Sequence, residues 1–172
     1  MEISPEVKVA RFEQLEPGDL FIYMNDRAPC FALKTQKDTQ SGDDEGLVIL
    51  GPQFPYDAEE SFLMPWRAAT ALSYGKDYTV VLPTKPSAWK TTGSTRAAVH
   101  LAIAEGEVFV CANGGLSPSD FYQAYVEMKT GRIIPKRLHA TALFTNEWEI
   151  VIPGPDGRSR TLLKYPGPES SK

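Results

Sequence analysis

The chain repeats its own pattern in order, and this constrains its fold more than any other feature. Residues 15–23 read Leu-Glu-Pro-Gly-Asp-Leu-Phe-Ile-Tyr, and residues 103–111 read Ile-Ala-Glu-Gly-Glu-Val-Phe-Val-Cys. Both run apolar, two free positions, Gly, acid, then an apolar stretch with Phe in the same place. Ala32-Leu33-Lys34-Thr35 matches Glu127-Met128-Lys129-Thr130. Arg67–Leu72 followed by Tyr78–Pro83 matches Arg137–Leu143 followed by Trp148–Pro153. A short set of strands cannot bury its apolar face alone, so a second copy can supply the covering surface. We read two related units, residues 1–84 and 85–165, with a Pro/Gly/Ser-rich tail over 166–172.

The matched segments read as strands. Leu20–Tyr23 and Val108–Cys111 are β-branched and aromatic, and each follows a Gly-acid turn. They are apolar on both faces, which places them inside a sandwich or barrel. Phe31–Thr35, Ala124–Met128 and the Gly-bounded run Leu47–Leu50 follow the same logic. In Trp148–Ile152 the period of two puts Trp148, Ile150 and Ile152 on one face. Pro153–Gly157 is a turn, and Arg160–Tyr165 returns as its hairpin partner. Fourteen prolines and thirteen glycines favour many short strands over long helices. Residues 95–104 suit either a helix capped by Ser94 or a strand alternating Val99, Leu101 and Ile103. Residues 118–128 open on a capped helical turn after Ser117, and residues 83–96 have linker composition. The expected fold class is all-β with minor helix: two tandem small β-barrel or sandwich units, SH3-like in size.

Charge and cysteine narrow the setting. The net charge is -4, with -6 over residues 1–86 (8 basic, 14 acidic) and +2 over 87–172 (10 basic, 8 acidic). A general nucleic-acid binder carries a strong basic excess, which is missing here. The asymmetry would orient a partner or steer a homodimer. No apolar run reaches the length of a membrane span, and residues 1–25 carry five acidic residues and no apolar leader core. Two cysteines, Cys30 and Cys111, sit among apolar neighbours and lack metal-ligand spacing, so they read as buried packing in a cytoplasmic chain.

Catalytic templates fail. There is no Gly-rich phosphate loop. Gly115-Leu116-Ser117-Pro118-Ser119 starts like a nucleophile elbow but lacks its last Gly, and Pro118 removes a backbone N–H that an oxyanion hole needs. The acidic stretch Lys37–Gly46 misses the spacing of a calcium loop. His100 and His139 lie beside apolar residues and read as structural. No cofactor or metal is expected. An enzyme with an unrecognised site around Asp43, Asp44, His100 or His139 is the least favoured function.

Two stretches remain. Residues 51–66 hold Phe54, Tyr56, Phe62 and Trp66, and the corresponding stretch of the second unit is shorter. Aromatic rings on a loop bind something or cover a core, and Tyr and Trp are favoured interface anchors. Lys129, Arg132, Lys136 and Arg137 form a basic cluster for an anionic ligand. The expected function is a non-enzymatic protein-binding module using the aromatic stretch. Nucleic-acid binding through the basic cluster is the alternative, and homodimerisation is compatible with either.

Overall fold

A computed structural model of the chain describes residues 7–25, 28–37, 45–50, 61–64, 70–91, 101–114, 122–135, 138 and 141–165. It is mostly β, as the Pro/Gly-punctuated apolar runs predict. The strands are β1 (Lys8–Arg11), β2 (Leu20–Asn25), β3 (Ala28–Lys37), β4 (Glu45–Ile49), β5 (Ser61–Met64), β6 (Thr70–Gly75) and β7 (Thr79–Val81). They continue with β8 (Leu101–Ala104), β9 (Glu107–Gly114), β10 (Tyr122–Glu127), β11 (Ile133–Pro135), β12 (Leu143–Thr145), β13 (Trp148–Pro153) and β14 (Ser159–Tyr165). The described helical structure is two 3-10 turns, Phe12–Gln14 and Pro86–Ala88.

One sheet runs β1-β6-β2-β3-β4-β5-β9-β10-β11, with β8 also on β9 and β12 on β8; a second runs β14-β13-β7. All pairs are antiparallel except β5–β9, which is parallel and joins the two halves of the chain. Among the described residues neither sheet closes on itself. Strands β2 to β6 take neighbours in the order β6-β2-β3-β4-β5, and β8 to β12 in the order β12-β8-β9-β10-β11. The next strand of each run, β7 and β13, pair with each other. That pairing is symmetric about Val80 and Ile150, with Thr79 opposite Val151 and Val81 opposite Glu149. Val80 and Ile150 are also the residues that the third pair of matched segments aligns.

The first two matches do not follow this order. Strand order sets β2 beside β8, whereas the Gly-acid signature sets it beside β9. The signature marks any turn that feeds a strand. Gly18 (φ 91°) sits in the turn that Asp19 N–H closes onto Glu16 O before β2, while Gly106 (φ 82°) is the tip of the β8–β9 hairpin. Other readings resolve. Residues 101–104 are a strand, so the helix alternative fails there. Residues 122–127 are a strand, as read for Ala124–Met128, and the helical turn after Ser117 lies outside the described residues. Lys90, inside the expected linker, exchanges backbone hydrogen bonds with Phe144 (Lys90 N–H to Phe144 O 2.9 Å, the reverse 2.8 Å).

Side chains sort by the period of two. One core is shared by both halves: Leu20, Leu33, Val48 and Tyr78 meet Val110, Val126, Trp148 and Ile150. Trp148 and Tyr165 stack at 6.1 Å between ring centroids. Behind the first half lies a smaller cluster of Phe12, Leu15, Phe21, Tyr23 and Cys30, and behind the second one of Ala102, Phe109, Tyr125 and Phe144. Leu20, Phe21 and Tyr23 are thus buried between the two faces, while Ile22 is half-buried.

Candidate functional site

Two turns from opposite halves meet closely. Gly18 ends the turn before β2, and Gly131 ends the turn between β10 and β11. A Cβ on Gly131 would lie 2.4 Å from Lys34 O and 2.9 Å from Gly18 N. A Cβ on Gly18 would lie 2.0 Å from Lys129 O. Only glycine fits such a backbone approach at positive φ. The contact is fastened by Gln36 N–H to Gly131 O (2.8 Å), while Gly18 N–H to Lys34 O (2.8 Å) ties the first-half turn to β3.

Side chains lock this junction. The buried Glu127 carboxylate accepts from Lys129 N–H (2.9 Å), Thr130 N–H (2.8 Å) and the Thr130 hydroxyl, which shapes the turn. The Tyr78 hydroxyl lies within reach of Met128 O (2.5 Å) and Gly18 O (3.3 Å), one from each half. Burial, with the Glu127 and Asp19 charges, pushes its phenol well above the usual range. Lys34 is 2% exposed, donates through Nζ to Leu15 O (2.6 Å) and Phe12 O (3.2 Å), and lies 4.9 Å from the Phe12 ring centroid. It holds the 3-10 turn onto the sheet. These groups satisfy backbone and one another, so the junction is a structural lock.

Beside it a cleft of about 890 Å³ opens between the two sheets, bordered by Lys8, Asp19, Tyr74, Lys76, Asp77 and Pro153. Three of its charged side chains, Lys76, Glu16 and Asp19, have partners within the chain. Lys76 pairs with Glu16 at 3.0 Å, and Asp19 accepts Glu16 N–H at 2.9 Å. Burial raises the Tyr74 phenol, against the opposing pull of the Arg160 charge.

The outer end of the shared-core face is open. Register sets Val9 beside Leu72, Leu72 beside Ile22, and Ile22 beside Phe31, so the four form one row across β1, β6, β2 and β3. Met24 and Pro29 are paired two residues further along the same face. Exposure climbs along β2: Leu20 is closed off, Ile22 is half-buried and Met24 is 64% exposed. Val9 is 62% and Leu72 41% exposed.

The residues singled out from sequence fare unevenly. Phe54, Tyr56 and Trp66 lie outside the described residues, as do Lys136, Arg137, Asp43, Asp44, His100 and His139. Phe62 is described by its backbone, which belongs to β5 in mid-sheet. The stretch 51–66 is therefore not a loop throughout: Ser61–Met64 is an apolar run that pairs with β4 and β9. Lys129 and Arg132 share the Gly131 turn. The Lys129 ammonium donates to Tyr78 O (2.8 Å) and sits 4.3 Å from the Tyr78 ring centroid. Arg132 pairs with Glu107 at 2.6 Å. Among the described residues no three His, Cys, Asp or Glu side chains gather for a metal ion, and no helix is long and apolar enough to cross a membrane. The Cys111 thiol is pushed up to about 12 by burial, which removes nucleophilic character at neutral pH.

Sequence reasoning missed Tyr78, Lys34, Glu127 and the Val9–Leu72–Ile22 row. The row joins three strands distant in sequence, so only pairing reveals it. No protein-family model, curated protein or solved structure matches the chain.

Proposed function

We propose that the chain is a non-enzymatic protein-binding module built from two related SH3-sized β units, residues 1–84 and 85–165, with 166–172 as a tail. The like neighbour order of β2–β6 and β8–β12 supports the pairing of units. The observation that carries the binding role is the open apolar row Val9–Leu72–Ile22 with Met24. Full burial of one such side chain is worth about 1.5–3 kcal/mol, so covering the exposed parts of several gives a partner a real gain. An apolar segment of a protein partner is the occupant, with Phe54, Tyr56, Phe62 and Trp66 as further anchors. The nucleic-acid reading has less behind it, because Lys129 and Arg132 are engaged within the chain. The cytoplasm suits two cysteines that form no disulfide with each other.

The test is affinity capture from cell extract with the intact chain, Leu72→Asp, and Phe54→Ala/Tyr56→Ala/Trp66→Ala, each confirmed folded by circular dichroism. A partner that binds the intact chain and is lost from Leu72→Asp supports the face. Partners unaffected by either variant refute the module as drawn.

A further inference from the structure

The backbone of β1 carries an inference separate from what the apolar face binds. Leu50 N–H donates to Phe31 O at 3.0 Å, so Phe31 turns its backbone toward β4. Its opposite, Ile22, then turns toward β6, and Leu72, opposite Ile22, toward β2. By the alternation of an antiparallel ladder, Ala71 and Ser73 bond to Ala10 and Lys8, which leaves Val9 and Arg11 pointing out of the sheet. A second observation agrees: Arg11 N–H donates to the Gln14 side chain at 2.8 Å rather than to its neighbour Thr70. Among the described residues, β1 has no strand on its outer side.

We propose that β1 pairs with β1 of a second copy of this chain, antiparallel and two-fold, with Val9 opposite Val9 of the other copy. This register pairs outward residues with outward residues. Val9 N–H and C=O exchange bonds across the axis. By the two-fold symmetry, Val7 N–H of each copy donates to Arg11 O of the other. Arg11 N–H stays with Gln14, which ends the ladder. A closed two-fold contact of this kind uses the same patch on both copies.

Side chains accept the register. The row Phe31–Ile22–Leu72–Val9 continues into its own mirror image, which lengthens the apolar face. On the other face Lys8 of one copy stands opposite Ala10 of the other. Ala10 borders the cleft, where Glu16, Asp19 and Asp77 outnumber Lys8 and Lys76. Each copy thus supplies an ammonium to a carboxylate-rich cleft mouth. Lys and Arg on an edge strand commonly block pairing. Here Lys8 faces Ala10 and Arg11 faces Val7, so neither meets a like charge directly across.

The test measures the mass of the intact chain by sedimentation velocity over a hundredfold range of concentration, and crosslinking of Val9→Cys under mild oxidation. Residues bonded across such an axis have Cα atoms roughly 5.5 Å apart, inside disulfide range. We expect twice the monomer mass at high concentration. Val9→Cys should crosslink at least tenfold faster than Met24→Cys, which is equally exposed. Val9→Pro removes an N–H that points out of the sheet, so the fold is retained, and dimerisation should weaken roughly tenfold or more with two bonds lost. A monomer at every concentration overturns the proposal. So does a dimer that Val9→Pro leaves intact, or Val9→Cys crosslinking no faster than Met24→Cys. Binding of an outside partner in the capture experiment is a separate readout, so either idea can fail alone.

Discussion

Replacing Gly131 by alanine tests the lock between the halves. Gly131 has φ 66°, a region where a Cβ costs about 1–2 kcal/mol. The new Cβ would also sit 2.4 Å from Lys34 O and 2.9 Å from Gly18 N, both backbone atoms, so no side chain can swing away. Relief requires the turns to separate. That sacrifices the Gln36 N–H to Gly131 O bond, at about 0.5–1.5 kcal/mol. The expected loss is about 1.5–3.5 kcal/mol, a large share of the roughly 5–15 kcal/mol of a natural domain. Gly75→Ala is the internal control. Its φ is 63°, but a Cβ there meets nothing within 4 Å. It should lose only the conformational part, about 1–2 kcal/mol. Urea unfolding followed by tryptophan fluorescence gives both values. Gly131→Ala should lower the midpoint by roughly 1 M, given a slope of about 1–3 kcal/mol per M. If the two variants agree within about 0.5 kcal/mol, the close approach is not a structural constraint and the reasoning fails.

Other expectations follow from buried groups. The Tyr78 phenol is raised, so its contribution is fully present below pH ~10, the unfolded value, and is lost as pH climbs through the folded one. Tyr78→Phe should flatten this alkaline loss, read by unfolding at stepped pH, and lower neutral stability by about 1 kcal/mol. Lys34→Ala strips the two carbonyls of their donor and empties a buried space, for about 2–4 kcal/mol in the same unfolding assay. Cys111 should react with a disulfide reagent at pH 8 at least a hundredfold slower than in urea; equal rates would contradict its raised thiol pKa.

Local chemistry was legible, and long-range pairing was not. The runs Leu20–Tyr23, Leu47–Leu50, Trp148–Ile152 and Arg160–Tyr165 announce themselves by period and turn residues. The resemblance of β6–β7 to β12–β13 shows in their like spacing, whereas the Gly-acid resemblance of β2 to β9 reflects two different turns. β5 escaped because Ser61–Met64 is a short apolar run between stretches of proline, acids and aromatics. The lock around Gly131 hides in an ordinary Thr-Gly-Arg turn: a glycine signals a sharp bend, and nothing in sequence says which backbone passes beside it. Lys34 reads as a surface residue, since lysine is rarely buried unless paired. Its burial becomes intelligible only when the carbonyls of Phe12 and Leu15 are seen above it.

The pairing of β7 with β13 has a consequence for synthesis. The chain emerges from the ribosome N-terminus first, at about 5–20 residues per second. When β7 appears, its partner is still 67 residues away in sequence, between Val81 and Glu149. During those seconds Leu20, Leu33 and Tyr78 have no opposing wall, because the other side of the shared core has not been made. The first half should therefore leave the ribosome with its shared-core face uncovered. The nascent chain should lean on a holding chaperone until β13 arrives, and ribosome-stalled chains ending before Trp148 should be far more protease-sensitive than released ones.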